Sequence, residues 1–188
     1  NRADQQALLS GILHERRTGK KVGDMIAACE SDPAIKADPT SAASANIREI
    51  RRDFDLATKL STELVSALAK ATSLAQDAWK HAREANDFAA FTPHLSEVLN
   101  LTRRKAECYG IPTFGHNGQA RKGELYDALL DEYEPGMSAA EIDSIFTPLQ
   151  SRLAALVSDI CSSPVKLNSS KLEINAPVTQ QAAFANEV

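Results

Sequence analysis

Residues 61–82 read Ser-Thr-Glu-Leu-Val-Ser-Ala-Leu-Ala-Lys-Ala-Thr-Ser-Leu-Ala-Gln-Asp-Ala-Trp-Lys-His-Ala, and this stretch decides the fold. Leu64, Leu68, Ala71, Ala75, Ala78 and Ala82 recur by alternating steps of four and three. That spacing puts them on one face of an α-helix. Most of the stripe is alanine, so a neighbouring helix can approach its backbone closely. The helix is expected to begin near Ser61.

Similar stripes lie on both sides. Asp38-Pro39 is expected to open a helix with Ala43, Ile47, Ile50, Phe54 and Ala57 on its buried face. Ahead of it, a first helix is predicted over Arg2 to Arg17, closed by Thr18-Gly19, and a short one over Val22 to Glu30. Downstream, Asp87 is placed to cap a helix carrying Phe88, Phe91, Leu95 and Val98, with Pro93 in its first turns. A loop from Gly110 to Gly123 leads to a short helix over Glu124 to Tyr133. Glu134-Pro135-Gly136 then turns the chain, and Ser138 with Glu141 forms a capping box. The last stripe of the bundle is Ile142, Phe146, Leu149, Leu153, Leu156 and Ile160, interrupted by Pro148. The expected architecture is all-α, a bundle of about seven helices over residues 1–161. Residues 162–188 read as a connector, with Lys171 to Ile174 a candidate short strand and a helical run opening at Pro177-Val178-Thr179.

Composition agrees with a globular chain: 43% of the 188 residues are hydrophobic and only 8 Gly and 8 Pro punctuate them. A formal charge of −4 gives no electrostatic reason for a polyanionic partner, so nucleic acid is not expected. No apolar run approaches the roughly 20 residues of a membrane-spanning helix. Cys29, Cys108 and Cys161 are odd in number and form no CxxC pair, which removes a zinc knuckle and a dithiol redox pair. They are expected as reduced thiols packed in or near helices, which suits the cytoplasm. Helical spacing begins with Ala3 and Ala7, and the run through Phe184 reaches Val188 without a stop signal. The chain is therefore read as a fragment.

Candidate chemistry is sparse. His14-Glu15-Arg16-Arg17-Thr18 begins like the HExxH zinc signature, but that motif works through two imidazoles one turn apart, and Thr18 replaces the second. His81, His94 and His116 supply no i, i+4 pair either, so no metal ligand is assigned. Gly115 to Gly123 lacks the spacing and the Ser or Thr of a phosphate-binding loop and reads as a flexible connection. The densest cluster runs from Glu124 to Met137. Asp127 and Asp131 share a helix face there, which admits an acid–base pair. The alternative is an amphipathic helix with a solvated acidic face and with Tyr126 and Tyr133 docked on the bundle.

The same cluster carries a resemblance. Tyr126-Asp127-Ala128-Leu129-Leu130-Asp131-Glu132-Tyr133-Glu134-Pro135-Gly136-Met137 closely resembles a stretch of the carboxypeptidase Taq family of metallocarboxypeptidases. Asn86-Asp87-Phe88 with Phe91, Pro93, Leu95 and Lys105-Ala106 is similar to the family's preceding helix. Arg2, Gln5, Leu9, Leu13 and His14-Glu15 resemble its early helix, and Gln180-Gln181 the run before its catalytic half. Ser61 departs from the Pro often found there. The resemblance implies the N-terminal part of a larger, helical, long-groove cytoplasmic enzyme that removes residues from peptide C-termini with zinc or cobalt. It also implies a homodimer. The family's HExxH helix, third metal ligand and substrate-gripping residues are expected beyond Val188, so no catalytic or metal residue is assigned here and substrate contacts stay unassigned. This part is expected to build one wall and the roof of the groove. The rival reading is a stand-alone helical interaction module whose grooves hold a partner helix.

Overall fold

The computed structural model describes residues 2–116, 119–165 and 176–187. Its elements run α1 (Arg2–Thr18), α2 (Lys20–Ser31), α3 (Pro33–Ala37), α4 (Ala42–Thr58), α5 (Thr62–Ala85) and α6 (Phe88–Tyr109). A hairpin of β1 (Thr113–His116) and β2 (Gln119–Lys122) follows, then α7 (Asp127–Leu130), α8 (Ala139–Ser162) and α9 (Val178–Glu187). The predominantly helical reading holds. The chain forms two compact units, Asn1–Glu141 and Ile142–Val188.

In the first unit α5 is the central element, with α1 and α6 packed against it. The alanine stripe explains why: Leu64, Ala75 and Ala82 are buried on α5, Ala3 and Gly11 on α1, and Leu101 and Ala106 on α6. Gly11 marks the closest approach. A Cβ built there would stand 2.7 Å from Ser66 Oγ and 3.3 Å from Thr62 Cγ2, so α1 meets α5 at a distance only glycine accepts without adjustment. Ser61 caps α5 by accepting from Leu64 N at 3.2 Å, and Asp87 caps α6 by accepting from Ala90 N at 3.1 Å, the second as expected. Between them Asn86 takes the left-handed conformation at φ 52°, which Asn tolerates better than most residues. Asp87 N–H then returns to Ala82 O at 2.8 Å and closes the α5–α6 turn. Opposite, α2 and α4 are tied by a two-pronged ion pair, Arg51 Nε and Nη2 each donating to a Glu30 carboxylate oxygen at 2.8 Å.

Three expectations about elements change. Asp38 does not cap a helix. Its carboxylate accepts from Thr40 N at 2.9 Å and Thr40 Oγ1 at 2.6 Å, a local turn that uses up the acceptor, and Ser41 caps α4 through Ser44 N at 3.2 Å. Upstream, Asp32 and Pro33 start the short α3 that the apolar pattern did not reveal, Asp32 accepting from Ala34 N at 2.8 Å. The Gly110–Gly123 connection is not a plain loop: β1 and β2 pair antiparallel, Thr113 opposite Lys122 and His116 opposite Gln119. The signal lay in Asn117-Gly118, a dipeptide that favours two-residue hairpin turns. The candidate strand Lys171–Ile174 lies outside the described residues.

Cys29, Cys108 and Cys161 are free, but all three are exposed rather than packed away. In the second unit, no residue of α8 is buried, and Phe146, Leu149, Leu153, Leu156 and Ile160 stay open to solvent. No helix of the described residues is long and apolar enough to cross a membrane.

Candidate functional site

The segment Glu124 to Met137 is the densest cluster of candidate chemistry in the sequence, and its geometry, with that of the capping box that follows, settles what its carboxylates do. The expected ten-residue helix shortens to the single turn of α7, flanked by turns. Asp127 is 2% exposed, so the reading of a solvated acidic face fails at its first member. Its Oδ2 accepts from Glu124 N and its Oδ1 from Ala139 N, both at 2.7 Å. One carboxylate thus pins the exit of the hairpin and the first residue of α8. Gly123 makes room for it, since a Cβ there would stand 2.7 Å from both Asp127 Oδ2 and Phe114 Cε2.

Asp131 faces another way. Its Oδ1 accepts from Gly136 N at 3.0 Å and its Oδ2 from Arg52 Nη2 at 2.7 Å, and Arg52 also donates to the Asp131 carbonyl. Burial pushes this carboxyl up, but the Gly136 N–H and the Arg52 guanidinium outweigh it and hold the group below its ordinary value. Glu132 Oε1 accepts from Tyr109 OH at 2.8 Å and pairs with Lys105 Nζ at 2.6 Å, while Lys105 also lies over the Tyr109 ring. Burial, and then the negative Glu132, push the Tyr109 phenol above its ordinary range, so it stays protonated and donates. Ser138 is fully buried; its N–H and Oγ donate to Glu141 Oε2 at 2.8 and 2.7 Å, and Glu141 N donates back to Ser138 Oγ at 3.3 Å. That is the expected capping box, and Arg121 Nη2 adds a hydrogen bond to Ser138 Oγ.

An acid–base pair needs two carboxyls facing one reacting atom. Here Asp127 is spent on backbone N–H groups and Asp131 on Arg52 and Gly136, so the pair does not form. The tyrosines do not dock either: Tyr126 is 63% and Tyr133 83% exposed. Sequence reading missed Arg52, Lys105, Tyr109 and Arg121, because their partners lie 17 to 79 residues away and no local pattern announces such contacts. The half-motif at His14 is structural, its Nε2 lying 3.0 Å from Leu60 O. His81 Nδ1 lies 2.9 Å from Asp77 O one helical turn back. Among the described residues no three His, Cys, Asp or Glu side chains gather in a way that could hold a metal ion, and no catalytic step through a metal is assigned to them.

What remains is a helical scaffold with an acidic segment locked into it, and its likeness to known proteins is specific. Residues 1–188 match the carboxypeptidase Taq (M32) metallopeptidase family. The chain belongs to that family. It is 38% identical over 189 residues to thermostable carboxypeptidase 1 of Thermus thermophilus, covering all of this chain and 36% of that protein. To the protein of the same name from Pyrococcus furiosus it is 32% identical over 114 residues, 61% of this chain and 21% of that one. Among solved structures, Trypanosoma cruzi metallocarboxypeptidase 1 is similar with a TM-score of 0.61 and 29% identity over 93% of this chain and 33% of that one. The BsuCP crystal structure shares the fold at a TM-score of 0.74 and 21% identity, over 99% of this chain and 35% of its own. The chain therefore spans about a third of the length of the Thermus thermophilus protein and of these two solved structures.

Proposed function

We propose that this chain is the N-terminal helical part of a metal-dependent carboxypeptidase that hydrolyses C-terminal residues from peptides. The observation that carries the reading is the family match over the whole chain, set against the one-third share of the relatives that it spans. On this reading the metal, zinc or cobalt, is held by residues outside this chain. The present helices form one wall and the roof of the substrate groove, and the enzyme works in the cytoplasm as a homodimer. On this reading the present part is scaffold, and the chain alone is expected to be inactive.

The test uses the longer protein from the same reading frame. It should release C-terminal amino acids from peptides, stop in a chelator, and recover with zinc or cobalt, while residues 1–188 alone release none. A longer protein that leaves peptides intact with either metal would overturn the proposal. The open apolar face of α1, with Leu8 and Leu9 each 64% exposed, favours the second reading, a helical interaction module without catalysis. That reading requires a defined partner complex and no peptide hydrolysis by the longer protein.

A further inference from the structure

Between Ala128 and Ser138 the chain leaves the interior and comes back to it. Both of those residues are buried, while Glu132, Tyr133, Glu134, Pro135 and Gly136 all face solvent. The two ends are fastened from inside: Asp127 Oδ1 holds Ala139 N, and Ser138 is held by Glu141 and by Arg121 of the hairpin. The middle is fastened by charge. Asp131 pairs with Arg52 of α4 at 2.7 Å, and Glu132 with Lys105 of α6 at 2.6 Å, with Tyr109 OH donating to the same Glu132 oxygen. Other ion pairs of unit 1 do less. Lys20–Asp24 and Arg48–Glu49 each lie within one helix, and Arg51–Glu30 and Lys70–Asp4 join helices that are packed on each other already. The Asp131 and Glu132 pairs reach two helices in different company, since α4 packs on α1, α2 and α3, and α6 on α5 and α7.

We infer that residues 129–137 form a strap that opens as a unit of its own, hinged at its buried ends and latched across α4 and α6 by these two ion pairs, so that ionic strength sets how often it is open. A segment opens by itself when little buried apolar surface holds it and its hydrogen bonds lie near solvent, which describes residues 132–136. Hinges are at hand. Gly136 takes φ 80° with open space around it, just ahead of the fixed Ser138, and α7 at the other end is a single turn. The latch responds to salt because its burial is intermediate. A fully exposed pair contributes almost nothing, and a fully buried one is screened little. The four side chains here keep between 23% and 34% of their surface open, so they both hold the strap and feel the solution around it. Screening shortens the reach of such charges from about 10 Å at 0.1 M salt to about 3 Å at 1 M. An apolar closure would not loosen in salt. Opening uncovers the Arg52 and Lys105 charges and the Tyr109 hydroxyl together, and leaves the Asp127 bonds to Glu124 N and Ala139 N in place. The inference stands apart from the carboxypeptidase reading and concerns unit 1 alone.

Amide hydrogen exchange, read residue by residue by NMR on the 188-residue chain, tests it. The strap carries its own reporters, since Tyr133 N and Glu134 N donate to Leu130 O at 2.9 Å, Gly136 N to Asp131 Oδ1 at 3.0 Å and Met137 N to Glu134 O at 3.2 Å. Ser138 N and Ala139 N report on the fixed end, and Ala75 on the layer of α1, α5 and α6. Raising sodium chloride from 0.1 M to 1 M should speed the four strap amides about fivefold, after correction for the salt effect on an unstructured peptide, and leave Ser138, Ala139 and Ala75 unchanged. The Arg52→Met, Lys105→Met pair keeps side-chain bulk and removes the latch. It should speed the strap amides about tenfold at 0.1 M salt and abolish their further response to salt. Lys20→Met, which breaks an ion pair within α2, should change none of them. If the double variant fails to fold by circular dichroism, Lys105→Met alone should still give about a threefold rise. Strap amides that are unprotected at 0.1 M salt, that quicken in step with Ser138 and Ala139, or that ignore both salt and these variants would each overturn the inference.

Discussion

In the layer of α1, α5 and α6 the buried side chains are Ala3, Gly11, Leu64, Ala75, Ala82, Leu101 and Ala106, and none carries a polar atom. From Gly123 to Glu141 the buried set is Asp127, Ala128 and Ser138, and two of the three are polar. The first region holds together by close approach of backbones, where removal of apolar surface and dispersion do the stabilising. In the second, the chain folds back on its own N–H groups through side-chain acceptors, and satisfied hydrogen bonds replace a core. The difference predicts opposite sensitivities. The layer should react to added volume, and the acidic segment to loss of an oxygen.

The largest effect is expected at Asp127. Asp127→Ala strands the N–H groups of Glu124 and Ala139 and opens a hollow, at a cost of about 3–5 kcal/mol in unit 1, read from the midpoint of urea unfolding. Asp127→Asn keeps one acceptor and should lose distinctly less. A harmless Asp127→Asn beside a fully costly Asp127→Ala would show that volume rather than hydrogen bonding governs the segment, and the contrast between the regions would collapse. Next comes Gly11→Val in the layer. Its side chain has to displace Ser66 and Thr62, and about 1–3 kcal/mol of destabilisation is expected in the same assay. Adding Ser66→Ala should recover part of that loss, since it removes the atom in closest approach.

The smallest effect concerns acid. Because Asp131 is held below its ordinary value, its ionised form stabilises the folded state above the unfolded pKa of about 4. That contribution drains away as pH falls through the lower, folded value. Thermal stability should therefore drop between about pH 5 and pH 3, and Asp131→Asn should flatten part of the drop while lowering stability at pH 7. A wild-type curve that is flat across this range would remove Asp131 from the account of the segment.

The two regions also differ in how far their sequence could be read. The stripe from Leu64 to Ala82 and the caps at Ser61, Asp87 and Ser138 are local patterns with fixed spacing, so both position and partner follow from the residues themselves. Asp127 and Asp131 sit one helical turn apart, and that spacing describes a solvated face as well as it describes two separately anchored groups. What separates the cases is Arg52, brought in from 79 residues away, and Ala139 N, brought in by a turn whose path no propensity fixes. Asp38 failed for a related reason: Asp, Thr and Ser within four residues offer competing acceptors, and the nearer turn took the first.

The left-handed Asn86 has a bearing on the order in which the layer assembles. It closes α5 onto α6 across a turn of a few residues, so that pair needs almost no loop closure and can zip up as soon as both helices exist. The partner surface for Gly11 is different, since Thr62 and Ser66 lie more than fifty positions downstream. During synthesis α1 leaves the ribosome ahead of α5, with Leu8, Leu9, Ile12 and Leu13 along its length, and waits several seconds at about 5–20 residues per second before its seat on α5 has been made. The earliest of these three helices to be translated is thus among the last to find its place, and that interval is when a newborn chain has most need of a chaperone's shelter.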